Sequence, residues 1–370
     1  MTRCTADTTD AEWRNKQSGM SYRRLGRTNF MVSEIIMGGS PPPKEDTRHF
    51  DVALELGLNY LDCAVAYGRG EGEKATAPFL NTSSKRERVF LNTKVSYFDE
   101  TRKETGQAIY DALTATQKAE IDREVERRLN AGVSLEPNHT IDYFREGQYR
   151  LQLQAAFISD AVKKRYPDAL KQQVNFKDFI IKSVEESMAR LQTDYLDIVM
   201  CPHGVSSPGE MESEEIQEAF LQLRKAGKVR YLGASAHADP STMVKTAARL
   251  GNYDVVMPAF NFVNGKYFTE ALGVAKKADM GIIAMKPARA LHTGKESNPS
   301  LRPEAVEALH KAIPGSMSTP MKANLWVLQQ PGITAINSSM VNEEQVRQNL
   351  SLAGRKIDLP DEYRITIGDD

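Results

Sequence analysis

Four polar residues of this 370-residue chain have the types and positions that proton transfer to a carbonyl group requires. Asp62, Lys94 and His203 lie at the ends of three apolar, strand-like runs, and Tyr67 comes five residues after Asp62. A free tyrosine has a pKa of about 10 and is a poor acid at neutral pH. A neighbouring ammonium group stabilises the phenolate and lowers that pKa, and a carboxylate holds the ammonium in place. The histidine can then donate a hydrogen bond that orients the carbonyl oxygen.

The elements that must position these side chains are eight short apolar runs that alternate with amphipathic helical stretches. The runs are mostly apolar rather than strictly alternating, as expected for strands that are buried on both faces. They cover residues 33–38, 59–64, 89–95, 194–204, 229–235, 254–260, 281–287 and 332–338. Eight βα units in series predict a single α/β domain, a (β/α)8 TIM barrel, in which the four polar residues meet at one mouth. Two stacked doubly wound domains are the alternative fold.

A long gap interrupts this repeat between the third run and its helix. Residues 99–175 lie there, where a loop of a few residues would suffice. The gap is charged and helix-prone, so we expect a helical insertion, with the barrel comprising residues 21–98 and 176–370. An insertion after a strand lies over the mouth of a barrel, where such enzymes hold their active sites. It is either a lid that sets specificity for a polar, sugar-like substrate, or a solvated embellishment or contact in a homo-oligomer.

The charge balance excludes several classes of partner. Lys and Arg number 48 against 49 Asp and Glu, a formal net charge of −1, which argues against binding to nucleic acid. No apolar run approaches the roughly 20 residues of a membrane span. Residues 1–20 are polar and have no signal sequence, so we expect a loose tail on a cytoplasmic protein. His203, His237 and Asp62 are candidate metal ligands, but Lys94 in the same mouth opposes a cation, so no metal is expected.

Several stretches resemble the aldo-keto reductase superfamily, in family order. They are YRRLGRTNFMVSEIIMGG, LELGLNYLDCAVAYG, VFLNTKV, ARLQTDYLDIVMCPHG, LRKAGKVRYLGAS and NEEQVRQNL. The resemblance implies a barrel that reduces an aldehyde or ketone, or oxidises the corresponding alcohol, with a nicotinamide dinucleotide. It also implies that Tyr67 is the general acid, that Lys94 and Asp62 tune it, and that His203 orients the carbonyl.

The same resemblance implies a set of cofactor contacts. Ala236 and Met257 stand where many members have the Asn and Gln that hold the carboxamide. Ser339 and Gln345 stand where many NADP-dependent members have Lys and Arg, so NAD and NADP both stay open. Lys286 is a cation that could reach the pyrophosphate or the ribose. The expected cofactor-binding residues are Gly39, Ser40, Asp62, Ser235, His237, Met257, Lys286, Pro287, Ala288, Ser339, Gln345, Gln348 and Asn349.

Other functions remain open at this level. The reduced set of carboxamide contacts is compatible with a tightly held, recycled cofactor, or with a non-redox lyase or isomerase that acts on a keto-sugar. A non-catalytic barrel that serves as a binding subunit is a further alternative, which the pairing of Tyr67 with Lys94 disfavours. The motifs GASAH at 233–237 and MKP at 285–287 resemble a bacterial subgroup. Some of its members carry a C-terminal iron–sulfur cysteine cluster, which we expect this chain to lack.

Overall fold

The computed structural model describes residues 10–39, 47–81, 83–131, 136, 138–143, 146–293 and 300–368. Within them, eight parallel strands form a closed barrel in chain order. The strands are β1 Ile35–Gly38, β2 Tyr60–Asp62, β3 Phe90–Lys94, β4 Leu196–Val205, β5 Val229–Ala236, β6 Val255–Pro258, β7 Gly281–Ala284 and β8 Ala335–Ser338. Each overlaps one of the eight predicted runs. The predicted (β/α)8 barrel is therefore confirmed, and the alternative of two doubly wound domains is excluded.

Helices surround the barrel and also form the insertion. They are α1 Arg48–Glu55, α2 Glu71–Leu80, α3 Phe98–Asp111, α4 Ala115–Ala131, α5 Gln148–Arg165, α6 Pro167–Gln173, α7 Phe176–Leu191, α8 Glu214–Lys225, α9 Pro240–Leu250, α10 Thr269–Lys277, α11 Pro303–Ala312, α12 Thr319–Gln329 and α13 Glu343–Leu350. One-turn helices lie at Ser83–Arg86 and Pro208–Met211, and 3-10 turns at Gly26–Thr28, Gly265–Phe268, Arg289–Leu291 and Asp361–Tyr363. The ends of α9 illustrate the local signals: Pro240 is its first residue, and Gly251, which caps it after Leu250, has a φ of 73° that suits glycine.

A small sheet closes the amino end of the barrel. Strands Tyr22–Arg24 and Phe30–Ser33 form an antiparallel hairpin, and a two-residue strand, Glu12–Trp13, pairs with the second of them. The ring of Phe30 stacks on Phe90 at the start of β3, with a centroid distance of 4.2 Å. This sheet therefore seals the end of the barrel opposite the mouth. A second, two-stranded sheet joins His292–Thr293 to Ser300–Leu301.

Residues 10–20 differ from the loose tail that we expected over residues 1–20. Their backbone joins the small sheet, and Arg14 donates a hydrogen bond of 3.1 Å to the carboxylate of Asp197. The Arg14 guanidinium also lies 4.5 Å from the ring centroid of Phe90. Because Asp197 is fully buried, its charge needs such partners, and this polar segment supplies one. Residues 1–9 lie outside the described part of the chain.

The insertion after β3 forms the helices α3 to α6, which begin at Phe98 and end at Gln173. Asp160 of α5 joins them, since it accepts from Arg102 of α3 at 2.9 Å and from Arg128 of α4 at 2.8 Å. One hydrophobic cluster runs from Phe30 through the barrel interior to buried insertion residues such as Leu153. The helices therefore pack onto the barrel through a shared core.

Candidate active site

The four residues predicted to carry the chemistry meet at the carboxyl ends of β2, β3 and β4. Lys94 Nζ donates to Tyr67 Oη at 2.9 Å and also to the carboxylate of Asp62. Tyr67 Oη donates to Asp62 Oδ2 over 3.3 Å. The rings of Tyr67 and His203 meet edge to face, with centroids 6.4 Å apart. Residues that are far apart in sequence thus surround one point.

The carboxylate of Asp62 accepts hydrogen bonds from several residues of this cluster, and two of these donors were not predicted from the sequence. Asn92 and Asn337 both donate to its carboxylate, the latter at 2.7 Å. Asn92 lies two residues before Lys94 on β3, so the period of a strand would have placed both side chains on one face. Asn337 lies near the end of β8 and could have been found by the same reasoning that found His203. Together they hold a carboxylate that is only 3% exposed.

The proton affinity of Tyr67 differs from our expectation. Lys94 was expected to lower the pKa of this phenol, but burial, followed by the charge of the Asp62 carboxylate, raises it well above its usual value of 10. The expected direction was therefore wrong, because burial and the neighbouring carboxylate both disfavour the phenolate. The phenol consequently keeps its proton throughout the neutral range.

His203 is a neutral donor in this arrangement. Burial, with smaller contributions from the charges of Lys94 and Lys286, lowers its pKa to about 3. Its Nδ1 lies 2.8 Å from Ser96 Oγ, and that oxygen accepts from the Ala66 amide at 3.3 Å. The serine proton is then available to Nδ1, which favours the tautomer that carries hydrogen on Nε2. Ser96 is a further partner of the site that sequence reasoning did not identify.

The low pKa of His203 makes acid stability a test of this environment. The unfolded chain, with a histidine pKa of about 6.5, binds more protons between that value and about 3 than the folded chain does. The contribution of His203 to the free energy of unfolding is complete above about pH 6.5 and is lost as the pH falls toward about 3. We expect His203→Gln to lose less free energy of unfolding than the wild type when urea titrations at pH 7.5 and pH 5 are compared. Equal losses in the two proteins would contradict this environment.

Side chains of the insertion contact the mouth beside β5 and β7. The rings of Tyr149 and His237 stack, with centroids 6.4 Å apart and planes 13° apart. Lys286 Nζ lies 4.9 Å from the ring centroid of Tyr143. Tyr143 Oη accepts from Asn261, which follows β6, at 3.0 Å. The insertion is therefore anchored at the ends of three neighbouring strands.

Most of the residues predicted to bind the cofactor lie at the mouth of the barrel, either along β5, β6 and β7 or just after β1 and β8. Ser235 and Met257 are fully buried, and the Met257 sulfur accepts from Asn337 at 3.6 Å. His237, Lys286, Pro287 and Ala288 lie at the ends of β5 and β7. Gly39 follows β1 with a φ of 87°, and Ser339 Oγ donates to the carbonyl of the preceding Gly38 at 3.1 Å. Ser40 lies outside the described residues, and the roles of all these residues remain predictions.

The helix α13 contains the remaining predicted contacts. Asn342 caps it by accepting from the amide of Gln345, and the Gln345 side chain accepts from the amide of Val341. Gln348 donates to Glu344 within the helix at 3.0 Å. Asn349 Oδ1 accepts from Asn324 and Ser338, both at 3.0 Å. Internal hydrogen bonds thus already engage the side chains that we expected to face the adenosine end.

A cavity of about 450 Å³ lies between the mouth and the insertion. His203 and His237 line it on the barrel side, and Tyr149 lines it on the insertion side. The described residues contain no group of three or more His, Cys, Asp or Glu side chains placed to hold a metal ion. Over the same residues, no helix is long and apolar enough to cross a membrane. The arrangement is thus a polar pocket that the neutral imidazole of His203 lines, and the ring of Tyr67 contacts that imidazole edge to face.

Comparison with known proteins assigns the family. The model of the aldo/keto reductase family matches residues 33–131 and 157–363. The chain therefore belongs to the aldo/keto reductase family, which confirms the resemblance seen in the sequence and makes the protein an NAD(P)-dependent oxidoreductase. The gap between the two matched segments, residues 132–156, lies within the insertion.

Individual relatives are distant. An uncharacterized oxidoreductase of Bacillus subtilis, YqkF, is 23% identical over 91% of this chain and 92% of its own length. The aldo-keto reductase AMT2 of Alternaria alternata is 24% identical over 81% of this chain and 72% of its own. Among solved structures, the holo form of aldo-keto reductase AKR11C1 from Bacillus halodurans aligns with a TM-score of 0.59 at 20% identity, covering 93% of this chain and 94% of that one. These structural likenesses support the fold.

Proposed function

We propose that this chain reduces an aldehyde or ketone, or oxidises the corresponding alcohol, with Tyr67 transferring the proton. The observation that carries the proposal is the hydrogen bond of 2.9 Å from Lys94 Nζ to Tyr67 Oη, made by an ammonium that the buried Asp62 holds in place. Lys94 is 1% exposed, so its charge acts on the phenol through little water. No comparable purpose is evident for a buried lysine that donates to a half-buried tyrosine in a barrel that only binds.

The proton pathway follows from these contacts. A bound nicotinamide dinucleotide supplies the hydride for reduction, or accepts it in the reverse direction. His203 donates a hydrogen bond to the carbonyl oxygen and fixes its position. Tyr67 Oη gives its proton to that oxygen as negative charge develops there, since an alkoxide is a far stronger base than a phenolate. Lys94 donates to the phenolate that results, and Asp62 keeps the ammonium in position.

Two residues at the mouth of the barrel, Lys286 and Gly39, are compatible with a bound nicotinamide dinucleotide. Lys286 supplies a cation for a phosphate or ribose, and a side chain in place of Gly39 would approach Ser339 Oγ to 3.2 Å, so glycine keeps the backbone there open. The acidic first turn of α13, with Glu343 and Glu344, opposes a phosphate at that helix terminus. A Klebsiella pneumoniae aldo-keto reductase of the same fold, with a TM-score of 0.54 and 18% identity, was solved in complex with NADPH. NAD and NADP both remain compatible with these residues.

Fluorescence titration with NADH and NADPH tests the proposal. We expect at least one of them to bind, and to be oxidised when a simple aldehyde such as propanal is added. Lys286→Met should raise the Kd about tenfold, because it removes a charge-assisted contact. Lys277→Met, at an exposed position of α10, is the control and should leave the Kd unchanged. Failure of both nucleotides to bind would refute the proposed function.

A further inference from the structure

Two residues that line the cavity between the mouth and the insertion each have a buried polar atom that lacks a hydrogen-bond partner among the described residues. The two atoms are Gln148 Oε1, at the start of α5, and His237 Nδ1, just beyond β5. Leaving such atoms buried and unpaired destabilises the folded chain, because each has lost its hydrogen bond to water. Both residues line the same cavity as His203, so a ligand that places its carbonyl at His203 also lies near them.

A hydroxyl group is the ligand chemistry that matches both atoms. The oxygen of the Gln148 amide needs a donor. Burial, and then the charge of Lys286, lowers the pKa of His237 well below 6.5, so its imidazole is neutral and offers a donor or an acceptor according to its tautomer. A hydroxyl can donate and accept at once, whereas a carboxylate or phosphate oxygen can only accept. Tyr149, stacked on His237, adds an aromatic surface beside these groups.

The wall formed by α3 is acidic. Glu100 and Glu104 are exposed on it and line the cavity one helical turn apart. Asp99 also lines it, and its carboxylate lies 3.3 Å from the Lys103 ammonium. That ammonium is shared with Glu210 at 3.4 Å, so two carboxylates face one positive charge. On this wall, an anionic group on the substrate would meet the negative charges of Glu100 and Glu104.

We propose that the insertion selects an uncharged, hydroxyl-bearing aldehyde or ketone and disfavours one that carries a phosphate or carboxylate. Gln148 and His237 bind the hydroxyls of the substrate chain, while Glu100 and Glu104 repel anions, so His237 moves from the expected cofactor contacts to the substrate subsite. The inference rests on the proposed function, because it assumes that the reacting carbonyl lies at His203 and Tyr67. It makes the insertion a specificity element built on an aldo/keto reductase barrel.

Gln148→Leu tests the hydroxyl subsite with two three-carbon aldehydes, glyceraldehyde and propanal. The variant should lower kcat/KM for glyceraldehyde about five- to tenfold, the effect of one lost hydrogen bond, and change that for propanal by less than twofold. The melting temperature of the variant checks that it folds as the wild type does. Equal losses with the two aldehydes, or no loss with either, would overturn the subsite.

The double variant Glu100→Gln/Glu104→Gln tests the exclusion of anions. It should raise kcat/KM for glyceraldehyde 3-phosphate about tenfold relative to that for glyceraldehyde. The matched control is Glu120→Gln/Glu126→Gln, which removes the same charge from exposed positions of α4 outside the cavity lining. An equal gain in the control would mean that overall charge, rather than the cavity wall, sets the preference, and would overturn the inference.

These measurements separate the two proposals. If the wild type reduces neither propanal nor glyceraldehyde with either nucleotide, the proposed function fails and the inference falls with it. If propanal is reduced but the substrate preference is the same in the wild type and in the variants, the proposed function stands and the role of the insertion is wrong.

Discussion

Tyr67→Phe should lower kcat for carbonyl reduction by about 10²–10⁴-fold, the usual contribution of a general acid. The variant keeps the ring and its edge-to-face contact with His203 and loses only the proton and the acceptor oxygen. Its Kd for the nucleotide should therefore stay within twofold of the wild type. Stopped-flow measurement of nucleotide oxidation with propanal gives the rate, and fluorescence titration gives the Kd.

Tyr110→Phe is the matched control for this experiment. That phenol lies on the insertion and donates to Asp122 at 2.7 Å, so its loss removes one hydroxyl that plays no part in the proposed proton transfer. We expect an unchanged kcat. If Tyr67→Phe also turned over at the wild-type rate, the proton donor would have to be another group, and the proposed mechanism would be refuted.

Lys94→Met should lower the free energy of unfolding by about 3–5 kcal/mol, in addition to abolishing activity. It removes the ammonium and leaves the Asp62 carboxylate buried with only neutral donors, Asn92 and Asn337 among them. The double variant Asp62→Asn/Lys94→Met removes both charges, so it should recover part of that stability without recovering activity. Urea unfolding at neutral pH measures both effects.

Lys85→Met provides the comparison for an exposed ion pair. Lys85 contacts Asp51 at 2.6 Å, but both side chains are about a third or more exposed, so its loss should change the free energy of unfolding by less than about 1 kcal/mol. If Lys94→Met were as stable as Lys85→Met, the buried pair with Asp62 would not be charged in the way that the mechanism requires.

The sequence predicts the architecture well because each barrel strand leaves a local pattern. A strand buried on both faces is a continuous apolar run, and the helices between the runs have their own period, so eight units can be counted without a tertiary contact. The long gap after β3 could be recognised from the sequence because it interrupts this regular alternation of strands and helices. The segment from 10 to 20 was misjudged because its polar residues looked solvated, whereas Arg14 pairs with a carboxylate 183 residues away.

Within the site, the chain alone determined which residue types stand at the ends of β2, β3 and β4, and therefore the identity of Asp62, Lys94 and His203. The tertiary structure alone decided the pKa shifts of His203 and Tyr67. The pKa of Tyr67 rises rather than falls because burial and the charge of the nearby Asp62 carboxylate disfavour the phenolate. The burial of a side chain cannot be predicted from its neighbours in the sequence. Asn337, which donates a hydrogen bond to Asp62, lies 275 residues from it.

The insertion shows the same division between what the sequence predicts and what the tertiary structure decides. Its helical character and its place after β3 follow from composition and spacing. That Tyr149 stacks on His237, and that Gln148 lies beside the same cavity as His203, depends on how the helices pack over the mouth. Sequence thus determined the barrel and the residue types at its mouth through local periodicity, whereas protonation and the shape of the pocket were decided by contacts between distant segments and by exclusion of water.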